Sequence, residues 1–188
     1  MSEDLTLIQK VGMAIDHRFL KKAGATPIPS SEYQLLLICF HPYEGKDPLT
    51  LADGVRINPG DRVAEFHLSN HRVVELGREQ TTRSMEWRIL ELLKSELNAV
   101  ARACSDSRIP ADIKGFYGVN VLVAGAKRLG FTMVALPKGW NRWWFGFWET
   151  ILRKIYYSYK TKKKASFGKT KDAFEIWITR EELLKRYL

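Results

Sequence analysis

The stretch Glu65-Phe66-His67-Leu68-Ser69-Asn70-His71 holds the residues whose types and spacing could do chemistry. In an extended strand Glu65 and His67 point the same way. A carboxylate beside an imidazole suits general acid–base work. Asn70 or His71 could complete a polar cluster, and His41, in a His-Pro-Tyr turn, could approach it. The same residues also arise without chemistry: His67 can simply hydrogen-bond Glu65, and Asn70 can occupy a turn that suits its tolerance of left-handed φ. Glu65, His67 and Asn70 are thus the candidates for an enzyme of unspecified reaction.

Other chemistries find less support. A metal site needs three or four ligands, and the close pair His67 and His71 lacks the helical HExxH context, so no metal site is expected. The cysteines, Cys39 and Cys104, belong to no CxxC or Cys/His cluster and read as reduced structural thiols. No GxxxxGK[ST] loop is present, the glycines at 115, 118, 125 and 130 do not form a dinucleotide fingerprint, and no GxSxG elbow occurs. No cofactor is expected.

The elements that must position these residues follow from periodicity. Leu5, Ile8, Val11, Ile15 and Phe19 recur at helical spacing, predicting an amphipathic helix to about Lys22, ended by Gly24 and the Pro27–Pro29 stretch. Tyr33–Phe40 is an apolar run suited to a strand buried on both faces. Asp53-Gly54 and Pro59-Gly60-Asp61 predict two turns, the second opening a strand Arg62–Leu68. In that strand Ala64, Phe66 and Leu68 share one face, and Val63, Glu65 and His67 the other. A long helix starts near Thr81 or Thr82 and runs to about Cys104, with Met85, Ile89, Leu92, Leu93, Leu97 and Val100 as its buried stripe. A helix around Asn120–Leu129 stops at Gly130, and strands follow at Phe131–Leu136 and Ala173–Ile178. Thr179 and Glu182 form a capping box for a last short helix. Without a strict βαβ rhythm, the 188 residues read as one compact α+β domain over 1–188, a mixed or antiparallel sheet with helices packed on it.

Charge is unevenly placed. Residues 1–137 hold 17 Lys+Arg against 16 Asp+Glu, whereas residues 138–188 hold 13 against 5, so nearly all of the net +9 lies in the last quarter. Within it, the basic aromatic segment 138–171 carries Trp140, Trp143, Trp144 and Trp148, followed by Lys160, Lys162, Lys163, Lys164, Lys169 and Lys171. On a helix over Trp140–Tyr159 the aromatic and aliphatic side chains cover an arc of roughly 180°, wider than the stripe of about 100° that a surface helix buries. Such a face can pack on the sheet or across a homo-oligomer interface. With the lysines beside it, it can also rest on an anionic membrane surface. Nucleic acid ranks behind these, because the aromatics are bunched rather than spaced along a groove and no RRM, KH or helix-turn-helix signature occurs.

Four stretches, HPYEG (41–45), LADGVRINPGDRVAEFHLSN (51–70), RLGF (128–131) and EIWITREELLKRY (175–187), together resemble the YkoP-like domain family of bacteria. Domains of this kind occur alone and attached to polysaccharide deacetylases, so the resemblance implies a loose link to the cell envelope. It carries over no activity and no catalytic residue, and its pattern does not include the Trp-rich stretch. Met1–Asp4 is acidic with no apolar core after it, so no signal peptide is expected, and no apolar run approaches the ~20 residues that span a bilayer. The expectation is a non-enzymatic cytoplasmic protein, or one peripheral on the inner face of the membrane. Its basic aromatic C-terminal third would bind an anionic partner, either lipid or an acidic envelope component.

Overall fold

The computed structural model describes residue 14 and residues 17–78, 85–119, 123–135 and 174–188. These form one α+β unit. The strands are β1 (Thr26–Pro27), β2 (Leu36–Pro42), β3 (Leu49–Thr50), β4 (Arg56–Ile57), β5 (Arg62–Leu68), β6 (Gly115–Val119), β7 (Thr132–Ala135) and β8 (Phe174–Thr179). The helices are α1 (Asn70–Arg78), α2 (Met85–Ser105), α3 (Val123–Ala126) and α4 (Arg180–Tyr187), and residues 17–23 are also helical. Six strands make one mixed sheet in the order β1-β2-β5-β6-β8-β7; β3 and β4 pair as a separate hairpin. Only β5 and β6 run parallel, joined through α1 and α2, as a parallel pair requires a crossover.

The alternation anticipated for Arg62–Leu68 holds, and it divides the sheet into two unlike faces. One face presents Leu36, Ile38, Ala64, Phe66, Phe116, Ile176 and Ile178, which pack with Ile89, Leu93, Leu97 and Val100 of α2 and Leu183 of α4 into the main core. The other face presents Val63 and Trp177, which pack with Leu51 and Ile57 of the β3–β4 hairpin into a second, smaller core. Polar side chains occupy much of what remains of that face.

Several turn and cap signals in the sequence act as expected. Gly54 and Gly60 adopt φ of 85° and 87°, and the Asp61 carbonyl accepts from Tyr43 N–H to fasten the second turn. Gly130 is left-handed after a 3₁₀ turn (Lys127–Leu129). Thr179 caps α4, its hydroxyl accepting from Glu182 N–H at 3.0 Å. A Cβ on Gly125 would stand 2.6 Å from Leu90, so glycine there does allow α3 to approach α2. The elements not anticipated are β1, α1 and β6. Residues 5, 8, 11 and 15 of the N-terminal helix, the 81–84 start of the long helix and the whole 138–171 segment lie outside the described residues.

The strand foreseen at Tyr33–Phe40 begins later, at Leu36, and ends at Pro42 with Phe40 exposed. Its start is set by a buried carboxylate. Glu96, in the middle of α2 and only 1% exposed, accepts from Leu35 N–H at 3.2 Å, Leu36 N–H at 3.3 Å and the Ser31 hydroxyl at 2.5 Å. Removing the carboxylate would leave two buried backbone donors without an acceptor. Glu96→Ala is expected to cost about 3 kcal/mol or more of folding free energy, and Glu96→Gln less, read from urea unfolding. A loss below about 1 kcal/mol for Glu96→Ala would show that the β2 entry is held by something else.

Candidate polar site on the sheet

The register of three strands assembles the polar face. Cys39 pairs with Glu65, Glu65 with Tyr117, and Tyr117 with Trp177, so these four stand in one row across β2, β5, β6 and β8. His41 lies two residues from Cys39 and His67 two from Glu65, each therefore on the same face. Cys39 Sγ is 3.5 Å from His67 Nε2. Glu65 Oε2 is 3.6 Å from His67 Nε2 and 3.7 Å from His41 Nε2. Those two carboxylate–imidazole separations exceed hydrogen-bond length.

His41 has a defined tautomer when neutral. Its Nδ1 is 2.8 Å from the Pro42 carbonyl, which can only accept, so Nδ1 carries the proton. Nε2 is then free to accept from the Tyr117 hydroxyl at 3.1 Å. Burial, followed by the charges of Glu65 and Glu175, holds the Tyr117 phenol strongly on its protonated side. Burial and the Glu65 charge push the Cys39 thiol up to about 11, so it is an uncharged thiol at neutral pH. Tyr117 stacks on Trp177 at 4.4 Å, and Trp177 Nε1–H donates to Glu175 Oε2 at 2.8 Å. The polar face thus sets a thiol, a carboxylate, two imidazoles and a phenol side by side against an aromatic wall. It can relay a proton or present ligand atoms. Phe19, on the helical residues 17–23, meets the His67 ring edge-on at 5.8 Å.

Among the candidates drawn from the sequence, Glu65 and His67 are brought together and His41 joins them. Asn70 is buried as the first residue of α1, and no described contact links it to the pair. His71 is exposed and faces Glu75 at 3.6 Å. Sequence reasoning missed Cys39, Tyr117 and Glu175. For Cys39 the available signal was its parity with His41 in LLICFHP, hidden by the apolar look of the run. Tyr117 and Glu175 needed the β6–β8 pairing. Trp140, Trp143, Trp144, Trp148 and the six lysines fall outside the described residues.

Glu175 gives a test of the electrostatics. Burial, and to a smaller extent the Glu65 charge, raises its carboxyl above the usual 4.5, while the Trp177 hydrogen bond opposes the shift. A carboxyl raised on folding stabilises the fold below its unfolded pKa, and that contribution is lost as pH rises through the folded value. Glu175→Gln keeps an acceptor for Trp177 without the charge. It should therefore melt above the parent at pH 7, with the gap closing as pH falls through the raised folded value and gone below about 4.5. A variant less stable than the parent at pH 7 would mean that Trp177 depends on the full carboxylate charge.

Comparison with curated proteins gives no match, and comparison with solved structures gives none. The sequence profile of the YkoP domain matches residues 6–187, which is nearly the whole chain and runs through the Trp-rich stretch that the recognised motifs leave out. With that coverage, the chain belongs to the YkoP domain family.

Proposed function

We propose that the chain docks on an anionic phospholipid surface through residues 138–171, the sheet and its helices serving as the platform that carries them. The observation that supports this is where the charge lies relative to the fold. Ala135 and Phe174 are cross-strand partners at the end of the β7–β8 pair, so residues 136–173 connect two neighbouring strand ends beside the sheet edge. Those residues hold ten Lys+Arg and two Asp+Glu, against 20 and 19 in the rest of the chain. They also hold four of the six tryptophans.

Lysines near an anionic leaflet contribute about 1 kcal/mol each, and tryptophan prefers the headgroup region, so the two residue types act on the same surface. Among the described residues no helix is long and apolar enough to cross a membrane, and the contact proposed here is interfacial.

The juxtaposed strand ends make the reading testable by excision. Replacing 138–171 with a short Asn-Gly turn should leave the melting transition close to the parent's, since β7 and β8 keep their register. The parent should co-sediment with vesicles containing phosphatidylserine and not with neutral phosphatidylcholine vesicles. The excised variant should remain in the supernatant, and Trp143→Ala with Trp144→Ala should lower the bound fraction several-fold. Undiminished sedimentation of the excised variant would overturn the proposal. So would indifference to vesicles combined with salt-steep binding to nucleic acid or to an acidic polysaccharide.

A further inference from the structure

We propose that Cys39, Glu65 and His67 form a binding site for a transition-metal ion of the zinc class, with three protein ligands and a fourth position left for water or another small ligand. The site is independent of the membrane reading, because it lies within the sheet and uses none of residues 136–173.

One ligand atom from each of the three side chains lies within 4.8 Å of the other two. Zinc bonds of about 2.3 Å to sulfur and 2.0–2.2 Å to nitrogen or oxygen, at tetrahedral angles, separate neighbouring ligand atoms by about 3.3–3.6 Å. The sulfur–nitrogen separation here is 3.5 Å and the nitrogen–oxygen separation 3.6 Å. The first distance also suits a weak thiol hydrogen bond, but the second is too long for a direct imidazole–carboxylate bond. An ion between the three atoms accounts for both. Cys39 would bind as the thiolate, its proton released to solvent as the ion enters, and a thiolate with an imidazole favours zinc over magnesium or calcium, which take oxygen. The backbone geometry is fixed before binding, since Cys39 and Glu65 are cross-strand partners in adjacent central strands and His67 follows on the same face. His41 stands 3.7 Å from Glu65 Oε2 and its two ring nitrogens are engaged by Pro42 and Tyr117, so it lies beside the trio rather than completing it. From the sequence, His67 with His71 fails the HExxH rule and no metal is expected; the trio proposed here instead joins one residue of β2 to two of β5.

The test uses the full chain, stripped with a chelator and titrated with zinc against a chromophoric competitor, and in parallel with cobalt(II). The parent should take up one zinc ion per chain. With cobalt it should develop a thiolate-to-metal charge-transfer band in the near ultraviolet. The band should persist in Cys104→Ala, which assigns it to Cys39. His67→Ala should weaken zinc binding by more than the roughly 10–100-fold typical of losing a residue outside the ligand set, His41→Ala should weaken it by less than His67→Ala, and His71→Ala should bind as the parent does. Circular dichroism checks that each variant is folded. Absence of the cobalt band from the folded parent overturns the proposal whatever the variants do. Zinc affinity unchanged by Cys39→Ala overturns it equally. Neither result bears on vesicle binding.

Discussion

The Glu96 carboxylate fixes the point from which the polar face is built. A helix residue deep in an apolar core would ordinarily be leucine, and burying an ionisable group there is costly unless it is fully hydrogen-bonded. Here the carboxylate takes the backbone donors of Leu35 and Leu36 and the Ser31 hydroxyl at the place where the chain enters β2. Gln34, beside them, has positive φ, so the chain turns sharply before straightening. The Leu35 carbonyl then accepts from Ser69 N–H, closing the β2–β5 ladder at that end. Because strand side chains alternate with period two, a slip of one residue would turn Cys39 and His41 onto the helix-covered face and take Leu36 and Ile38 off it. The carboxylate on α2 thus helps decide which residues of β2 meet Glu65 and His67.

That constraint explains why the two faces of one sheet differ. The helix-covered face is apolar across β2, β5, β6 and β8 and is sealed by α2 and α4. Arg180 binds α4 to the end of α2 by donating to the carbonyls of Cys104 and Pro110. Among the described residues, the β3–β4 hairpin seals the opposite face over Val63 and Trp177, and Phe19 covers His67. Trp177 marks the border. Its ring packs in the small core against Tyr43, stacks on Tyr117, and donates its N–H to Glu175. Beyond it the row changes to phenol, carboxylate and thiol. A rigid apolar wall ending in ionisable groups favours a fixed geometry over solvation of each group separately, the condition under which a site can be pre-formed.

Much of this was legible in the residues. The α+β class, the strand Arg62–Leu68 with its facing, the two glycine turns, the Gly130 stop and the Thr179–Glu182 cap all rest on local rules, and local rules suffice for them. What escaped is non-local. In β6, GFYGV carries two glycines in five residues and lacks a clean alternation; it becomes a strand because β5 and β8 pair on either side of it. A Cβ at Gly115 would stand in ordinary van der Waals contact with Ile57 and Trp177, at 3.6 and 3.8 Å, so space does not demand glycine there. Helix α1 was concealed because Asn70 reads equally well as a turn residue and as the start of a helix. The Cys39–Glu65–His67 grouping needed the β2–β5 register, which depends on a hydrogen-bonded glutamate about sixty residues from the strand it fixes.

The membrane reading and the metal reading meet on one physical point: what the edge of a sheet can carry. A hairpin tolerates a long connection because closure entropy grows only with the logarithm of its length. Ala135 and Phe174 are the last β7–β8 partners, at the ends that such a connection joins. The platform itself is almost electrically neutral and several of its charges are matched locally, as in Arg62 with Asp112, Lys114 with Asp61 and Arg186 with Glu182. Positive charge added at the edge is therefore not cancelled by a matching excess of acid elsewhere in the platform. Glu65 and Glu175 are held by cross-strand register and by the Trp177–Tyr117 stack, interactions that low local dielectric strengthens and that salt screens little. Exposed lysines respond to salt strongly. The same chain can hold a salt-insensitive centre in its sheet and a salt-sensitive contact at its edge, and the register that fixes the first is not altered by the composition of the second.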